Sequence, residues 1–393
     1  MKGFTVKYET RYCNICTAHN DKNFLTATSI AYIDNEWIPI KSYVTRCRIC
    51  SLVYNNIIPN KKSLSLIYER SSYSNRDKNP THIKNIQEQV KYVKRFFSRK
   101  NYVSLDVGSA LDKFSEILRA EGWQAYEIEP SSVSMAYNGL NGKFIFHQNV
   151  EEFQGSKKFD LISLRHVLEH LRNPINVLKK LSGNLSPNGK VFIEVPNLRK
   201  AKPLDVNSFF RFLHLYHFTP NSLSNILKKS GYEIIDSDDK INYGAIRIIA
   251  VRPKSIKNRK LIIDQDIKRI LDKYFITESK TRGHILHRLR NIVKSKKSKI
   301  LLWGAGFHSE IILQLADKKL RDSIECFVDS DKLKWGKLFY GKLIRSPEWC
   351  ITSDLPIVIS SLISQESIEQ SILSYKITKS RINKLYSYKI PRY

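Results

Sequence analysis

Four cysteines stand in two Cys-x-x-Cys pairs, Cys13-Asn14-Ile15-Cys16 and Cys47-Arg48-Ile49-Cys50. Each pair can turn two thiolates toward one point, and four thiolates suit the tetrahedral preference of zinc. Such a set leaves no coordination position open, so zinc on Cys13, Cys16, Cys47 and Cys50 is expected to stabilise rather than catalyse. A second pattern is Leu105-Asp106-Val107-Gly108-Ser109-Ala110-Leu111-Asp112, an apolar strand run ending in a glycine turn that opens a helix. Backbone amides in such a turn can approach a cofactor closely. One helix and one strand later Glu129 ends the next apolar run, where a carboxylate is placed to accept both ribose hydroxyls of a nucleoside. The third set can move protons. His166, with Glu169 and His170 one helical turn on, is either a base or a packing or helix-capping residue. His214, Tyr216 and His217 lie in the run Phe209 to Pro220, which is either a base-bearing segment or an aromatic lid of satisfied histidines.

The elements that must position these residues alternate. Strands are expected at 102–107, 124–128, 143–147, 159–164 and 190–195, and helices at 82–99, 113–121, 174–181 and 221–230, with closing strands over 241–251. Alternation of this kind implies a mainly parallel sheet covered on both faces. Residues 253–298 read as a basic helical connector. Alternation then resumes with Trp303-Gly304-Ala305-Gly306 after a strand and Val328-Asp329 at the end of the next, a dinucleotide-fold arrangement lacking its third glycine. The expected domains are therefore a four-cysteine zinc module over 1–75, an α/β domain over 76–252, the connector, and a C-terminal Rossmann-like α/β domain over 299–393.

Length and composition agree with this division. A chain of 393 residues exceeds one ordinary core, and an apolar fraction of 42% is that of a folded protein. The start of the chain lacks the apolar run of a secretory signal, and no stretch approaches a membrane span, which suggests a cytoplasmic protein. The net charge of +29 reflects either an anionic partner or simply a composition rich in Lys, Ile and Asn.

The motifs carry a resemblance. Asp106 to Phe114, then Gly122-Trp123 and Ile128-Glu129-Pro130-Ser131, resembles the cofactor motif of class I S-adenosylmethionine-dependent methyltransferases. Phe159 to Leu171 with Asn173-Pro174 is similar to their fourth-strand motif, and Leu185 to Asn197 to their turn and fifth strand. The subgroup it most resembles is the bacterial sugar C-methyltransferases, many of which carry an N-terminal four-cysteine zinc module. The resemblance implies a Rossmann-like sheet, S-adenosylmethionine bound by Asp106, Gly108, Ser109, Ala110, Glu129, Arg165 and His166, and His166 beside the transferring methyl group. It also implies acceptor contacts and a base in the segment of His214, Tyr216 and His217, Tyr216 and His217 being preferred. The C-terminal domain resembles that of the same enzymes and the N-terminal domain of some sugar acyltransferases, which implies either a nucleotide-sugar site or a purely structural half-Rossmann domain.

Two positions depart from the pattern, Ala110 and Asp112 standing where the family has glycines. An aspartate there either crowds or repels the cofactor's carboxylate, or is tolerated by the cofactor's ammonium and sulfonium. The expected function is methyl transfer to a sugar hydroxyl or carbon, on a nucleotide sugar or surface-glycan precursor. The alternatives are an RNA methyltransferase, motivated by the basic balance, and a non-catalytic binding protein derived from a methyltransferase.

Overall fold

The structure, a computed structural model, describes residues 5–19, 22–33, 36–70, 80–110, 112–131, 144–201, 209–210, 213–255, 260–361 and 364–386. The chain forms two compact units, one taking in Met1–Ala201 and Phe209–Ile267, the other Lys268–Tyr393.

The first unit opens with an antiparallel sheet of β1 (Tyr8–Thr10), β2 (Leu25–Ile33), β3 (Glu36–Arg46) and β4 (Val53–Pro59), in the order β1-β4-β3-β2. Helices α1 (Lys61–Arg70) and α2 (Pro80–Lys94) follow. The apolar face of α2, Ile86, Val90 and Val93, is buried. That helix ends sooner than the expected residue 99, in turns where the Phe96 and Phe97 amides donate to Val93 and Lys94 carbonyls.

Alternation then begins: β5 (Val103–Val107), α3 (Lys113–Ala120), β6 (Gln124–Ile128), β7 (Ile145–Phe146), β8 (Phe159–Arg165), α4 (Pro174–Ser182) and β9 (Leu185–Pro196). A two-residue strand β10 (Tyr216–His217), α5 (Pro220–Lys229), β11 (Glu233–Asp238) and β12 (Ala245–Val251) complete the unit. Seven of these strands form one sheet in the order β11-β12-β9-β8-β5-β6-β7. Pairing is parallel from β7 through β9, and β12 and β11 run antiparallel at the far edge. The sheet is thus Rossmann-like, as expected. Its order reverses at β5, which has β6 on one side and β8 on the other. In such sheets the crevice beyond the strand C-termini at that reversal is where ligands bind.

The segment expected as a four-cysteine module over 1–75 packs as part of the first unit. Strand β10 leaves the large sheet and pairs antiparallel with β4, His217 opposite Val53 and Tyr216 opposite Tyr54. One continuous core contains Cys13, Cys47, Cys50, Leu52 and Tyr54 together with Leu105, Ile162, Leu164 and Val195 of the large sheet. The physical reason is size, since a small antiparallel sheet buries too little apolar surface alone.

Most of the expected helical connector over 253–298 is one long helix. Residues 260–266 carry no helix, and the 30-residue helix α6 spans Ile267–Lys296. Asn225 of α5 fixes the non-helical stretch by a two-way hydrogen bond with the backbone of Ile262, at 2.7 and 3.0 Å. In the second unit β13 (Ile300–Trp303) is central, flanked by β14 (Ile324–Val328) and β17 (Ile357–Ile359), all parallel. Strands β15 (Leu338–Phe339), β16 (Lys342–Arg345) and β18 (Ile382–Lys384) complete its six-stranded sheet. No helix among the described residues is long and apolar enough to cross a membrane.

Candidate active site

Both cysteine pairs adopt one local design. Thr17 N donates to Cys13 O at 2.8 Å and Ser51 N to Cys47 O at 3.1 Å, and Thr17 and Ser51 both take positive φ, 59° and 63°. These knuckles bring Cys13 Sγ to 3.4 Å from Cys50 Sγ and Cys16 Sγ to 3.3 Å from Cys47 Sγ. The four sulfurs lie within 4.8 Å of one another and none is disulfide-bonded. Sulfurs on a tetrahedral zinc ion are about 3.8 Å apart, given Zn–S bonds of about 2.3 Å. The four-cysteine set therefore fits the ion.

The glycine turn after β5 has the conformation its residues were expected to need. Gly108 sits at φ 62°, and a Cβ there would meet Val167 Cγ2 at 2.6 Å, so the position takes only glycine. Its amide donates to Ile128 O at 2.8 Å. Glu129, just past β6, is buried, and its carboxylate accepts from Ala110 N at 2.7 Å and Ser131 N at 2.8 Å. Each oxygen keeps a second lone pair, which is what a ribose hydroxyl requires. Burial pushes the Glu129 carboxyl above its usual range, the two amides pulling the other way.

Two expectations about this turn change. Asp112 does not face a ligand with an uncompensated charge. Its Oδ1 caps α3 by accepting from Phe114 N at 2.9 Å, and both its oxygens accept from Arg165, each at 2.9 Å. Arg165, expected to hold cofactor, spends its guanidinium inside the protein. It also donates to both oxygens of Asp106 at 3.2 and 2.6 Å and to Gln89 Oε1 at 3.0 Å, and it covers the Phe114 ring. These contacts occupy the whole N–H fork of an arginine. Burial opposes its charge, yet the Asp106 and Asp112 carboxylates hold Arg165 above the ordinary arginine range. Asp106 in turn accepts from Ser163 Oγ at 2.6 Å, so both residues form a buried clasp beneath the turn.

Gln89 extends that clasp, donating to Glu194 Oε1 at 2.6 Å. Glu194, near the end of β9, is fully buried and also accepts from Tyr243 at 2.8 Å and Arg247 at 2.5 Å. Burial raises its proton affinity, but His166 and Arg247 outweigh that and pull its pKa down to about 2. His166 takes φ 54° after β8, with Nε2 at 3.2 Å from Glu194 and Nδ1 at 3.5 Å from Glu169. Burial disfavours its charge, yet the two glutamates raise its pKa to about 9. His166 is therefore a cation at neutral pH and cannot accept a proton there. Sequence reasoning missed Gln89, Glu194 and Arg247. Glu194 and Arg247 each left a signal, as a charge inside an otherwise apolar strand run.

The segment before α5 separates its three expected groups. Tyr216 is buried, accepts from Arg11 at 2.9 Å and donates to Arg172 O at 3.1 Å. Burial raises its pKa to about 12 although Arg11 pulls the other way, so Tyr216 keeps its proton at neutral pH. His217 is different. It is 2% exposed, neither ring nitrogen has a hydrogen-bond partner, and the ring packs beside Phe209 and Phe210. Burial, with help from Arg11, lowers its pKa to about 3, so it is neutral at physiological pH. His214 is half-buried with Nδ1 3.0 Å from Phe209 O. The remaining cluster residues Arg211 and Phe212 lie outside the described residues. Leu215 N bonds Glu169 O at 2.7 Å and Leu198 N bonds Phe218 O at 2.7 Å, which ties the segment to the chain leaving β8 and β9.

The second unit repeats the cofactor turn in outline. Gly304 takes φ 111°, its amide bonds Val328 O at 2.7 Å, and Ala305 N donates to Asp329 Oδ2 at 2.9 Å. A Cβ on Gly304 would meet Ser360 Oγ at 2.9 Å. Lys334 pairs with Asp329 at 3.0 Å.

Residues 82–237 match the family model of a methyltransferase domain, and residues 296–383 a family described as C2185-like, N-terminal. A ubiquinone biosynthesis O-methyltransferase of Rickettsia felis is 28% identical over 103 residues, covering 24% of this chain and 42% of that protein. The chain thus spans less than half the length of the curated relative it matches. Among solved structures, a glycopeptide N-methyltransferase is 13% identical with a TM-score of 0.35, covering 43% of this chain and 90% of the other. A 1,6-didemethyltoxoflavin-N1-methyltransferase of Burkholderia thailandensis is 15% identical with a TM-score of 0.35, covering 42% and 76%.

Proposed function

Residues 82–237 being a methyltransferase domain, we propose that this protein transfers the methyl group of S-adenosylmethionine to a hydroxyl or carbon of a sugar, on a nucleotide sugar or glycan precursor. The observation that carries the methyl-donor part is the pairing of Gly108, closed to any Cβ, with the buried Glu129 carboxylate at the sheet's reversal point. The turn Gly108-Ser109-Ala110 would hold the nucleoside through its backbone and Glu129 its ribose hydroxyls. Asp106 and Arg165 support the turn from below rather than touching the cofactor. S-adenosylmethionine supplies a methyl group already activated by its sulfonium, so the chain's task is alignment and removal of one proton.

His217 takes that proton. It is neutral, desolvated and unpartnered, and its segment is tied to the C-terminal ends of β8 and β9. A ring nitrogen would accept the proton of the acceptor's O–H or C–H bond while the methyl carbon exchanges its bond to sulfur for one to the acceptor atom, which would leave an imidazolium and S-adenosylhomocysteine. Cys13, Cys16, Cys47 and Cys50 would hold a structural zinc ion beside the strand that pairs with this segment. The sugar part of the reading is supported by the motif order with its four-cysteine module, and a nucleotide-bearing acceptor by the second unit's Gly304 turn and Asp329.

The test is calorimetric titration with S-adenosylmethionine and S-adenosylhomocysteine, comparing the protein with its Glu129→Gln and Glu129→Ala variants. Losing a charged acceptor for the ribose should weaken binding by about 1.5–3 kcal/mol, roughly tenfold to a hundredfold. An acceptor screen with sugar nucleotides follows, in which His217→Asn should lower kcat by about 10²–10⁴ with cofactor affinity kept. No cofactor binding by folded protein would reject the enzyme reading in favour of a repurposed binding domain.

A further inference from the structure

Glu169 lies in the short 3-10 turn after β8 and is 1% exposed, yet neither of its carboxylate oxygens has a hydrogen-bond partner. A buried carboxylate without donors is costly, and proteins keep such a group only paired or bound to metal. Two imidazoles face it, His166 Nδ1 at 3.5 Å, which pairs with it as a cation, and His170 Nε2 at 3.8 Å.

His214 reaches the same place from the segment before β10, its ring centroid 5.0 Å from that of His170. One ligand atom from each of Glu169, His170 and His214 lies within 4.8 Å of the other two. The two imidazoles are oriented alike. His170 Nδ1 is 2.7 Å from Leu213 O, and His214 Nδ1 is 3.0 Å from Phe209 O. A carbonyl only accepts, so Nδ1 carries the proton and the lone pair of each neutral ring falls on Nε2. A backbone carbonyl behind Nδ1 is the outer-shell arrangement that fixes metal-ligating histidines.

We propose that Glu169, His170 and His214 bind one divalent transition-metal ion, separate from the ion of the four cysteines. Two imidazoles with one carboxylate suit Zn²⁺, Fe²⁺ or Mn²⁺, whereas Mg²⁺ and Ca²⁺ favour all-oxygen sets. Three protein ligands leave at least one position open for water or an acceptor oxygen, unlike the closed thiolate site. Ligands about 2.1 Å from a shared ion stand at most about 4.2 Å apart, which the 3.8 Å between Glu169 and His170 Nε2 satisfies. The backbone bond from Leu215 N to Glu169 O, 2.7 Å, already joins the two segments that carry the ligands. This site stands independently of the methyl-transfer reading.

The experiment reconstitutes the stripped full-length chain with Co²⁺ and measures metal per chain by plasma emission alongside the absorption spectrum. Thiolate-bound Co²⁺ shows intense sulfur-to-metal charge transfer, while nitrogen and oxygen ligands give only weak ligand-field bands. The expected result is two equivalents, one of each signature. His214→Ala and Glu169→Gln should each remove only the second, with charge transfer and near-ultraviolet dichroism unchanged. His214 is half-buried, so its variant decides the matter should Glu169→Gln fail to fold. A single equivalent at saturating Co²⁺, or a second that persists in His214→Ala, would overturn the proposal.

Discussion

Asp112 shows how far one residue's meaning depends on a partner distant in sequence. Beside a glycine turn its charge looks hostile to a cofactor, yet Arg165, 53 positions on, takes both its oxygens while its backbone-facing oxygen caps α3. Asp112→Gly should therefore destabilise the protein, by about 1 kcal/mol for the cap and by more for the buried Arg165 left short of a partner. Asp112→Asn, which keeps the cap, should lose less, and denaturant midpoints separate the two. Ala110 sits at φ 48°, where a Cβ costs about 1–2 kcal/mol. Ala110→Gly returns part of that to unfolded-chain entropy, leaving a net gain of about 0.5–1 kcal/mol readable as a higher Tm. His217 contributes an acid-side pH dependence. Its pKa falls from the usual 6.5 to about 3 on folding, so the unfolded chain binds the extra proton. It therefore costs no stability above about pH 6.5 and destabilises progressively as pH falls toward 3. Turnover by a base already neutral should show no acid limb near pH 6.5, and a limb there that disappears in His217→Asn would refute this assignment.

At the scale of elements, the decisive feature is a strand of two residues. Strand β10 carries His217 and is held by β4, which leaves the second cysteine knuckle, and by Arg11, which precedes the first. Arg11 donates to Asn55 O at 2.6 Å, Arg172 O at 3.1 Å, Leu215 O at 2.7 Å and the Tyr216 hydroxyl at 2.9 Å, and stacks on the Tyr216 ring. Arg11→Ala strands several buried acceptors, and should cost about 2–4 kcal/mol and most of kcat while leaving S-adenosylmethionine affinity nearly unchanged. Titration and turnover on one preparation check this, and equal loss of both would show that Arg11 supports the whole unit instead. None of this was legible from local sequence. The parallel strands were, since Val103–Val107 and Phe159–Arg165 are mainly apolar segments set between helical patterns and bounded by polar turns, as strands of a covered parallel sheet are. Two-residue strands carry no periodicity, and neither β7 nor β10 has an internal pattern that could announce its partner.

At the scale of the molecule, the cysteine knuckles and the large sheet share one core, so metal and cofactor sites should fail together. Stripping the thiolate-bound metal with a chelator should abolish S-adenosylmethionine binding along with the native near-ultraviolet spectrum. A module folding alone would leave the affinity intact, and calorimetry after chelation distinguishes the two. The sequence by itself determined the ligand chemistry and the order of elements: two Cys-x-x-Cys pairs, a glycine turn followed by Glu129, and alternating strands and helices in two successive runs. These are local properties, fixed by backbone sterics, thiolate geometry and hydrophobic period within a few residues. Tertiary structure alone decided which charges cancel and which groups are left with unused lone pairs: Arg165 against Asp106 and Asp112, Glu194 against His166 and Arg247, Tyr216 locked, His217 and Glu169 buried without hydrogen bonds. Charge compensation and desolvation depend on what lies within a few ångströms in space, and in a parallel sheet those neighbours come from strands tens of residues apart.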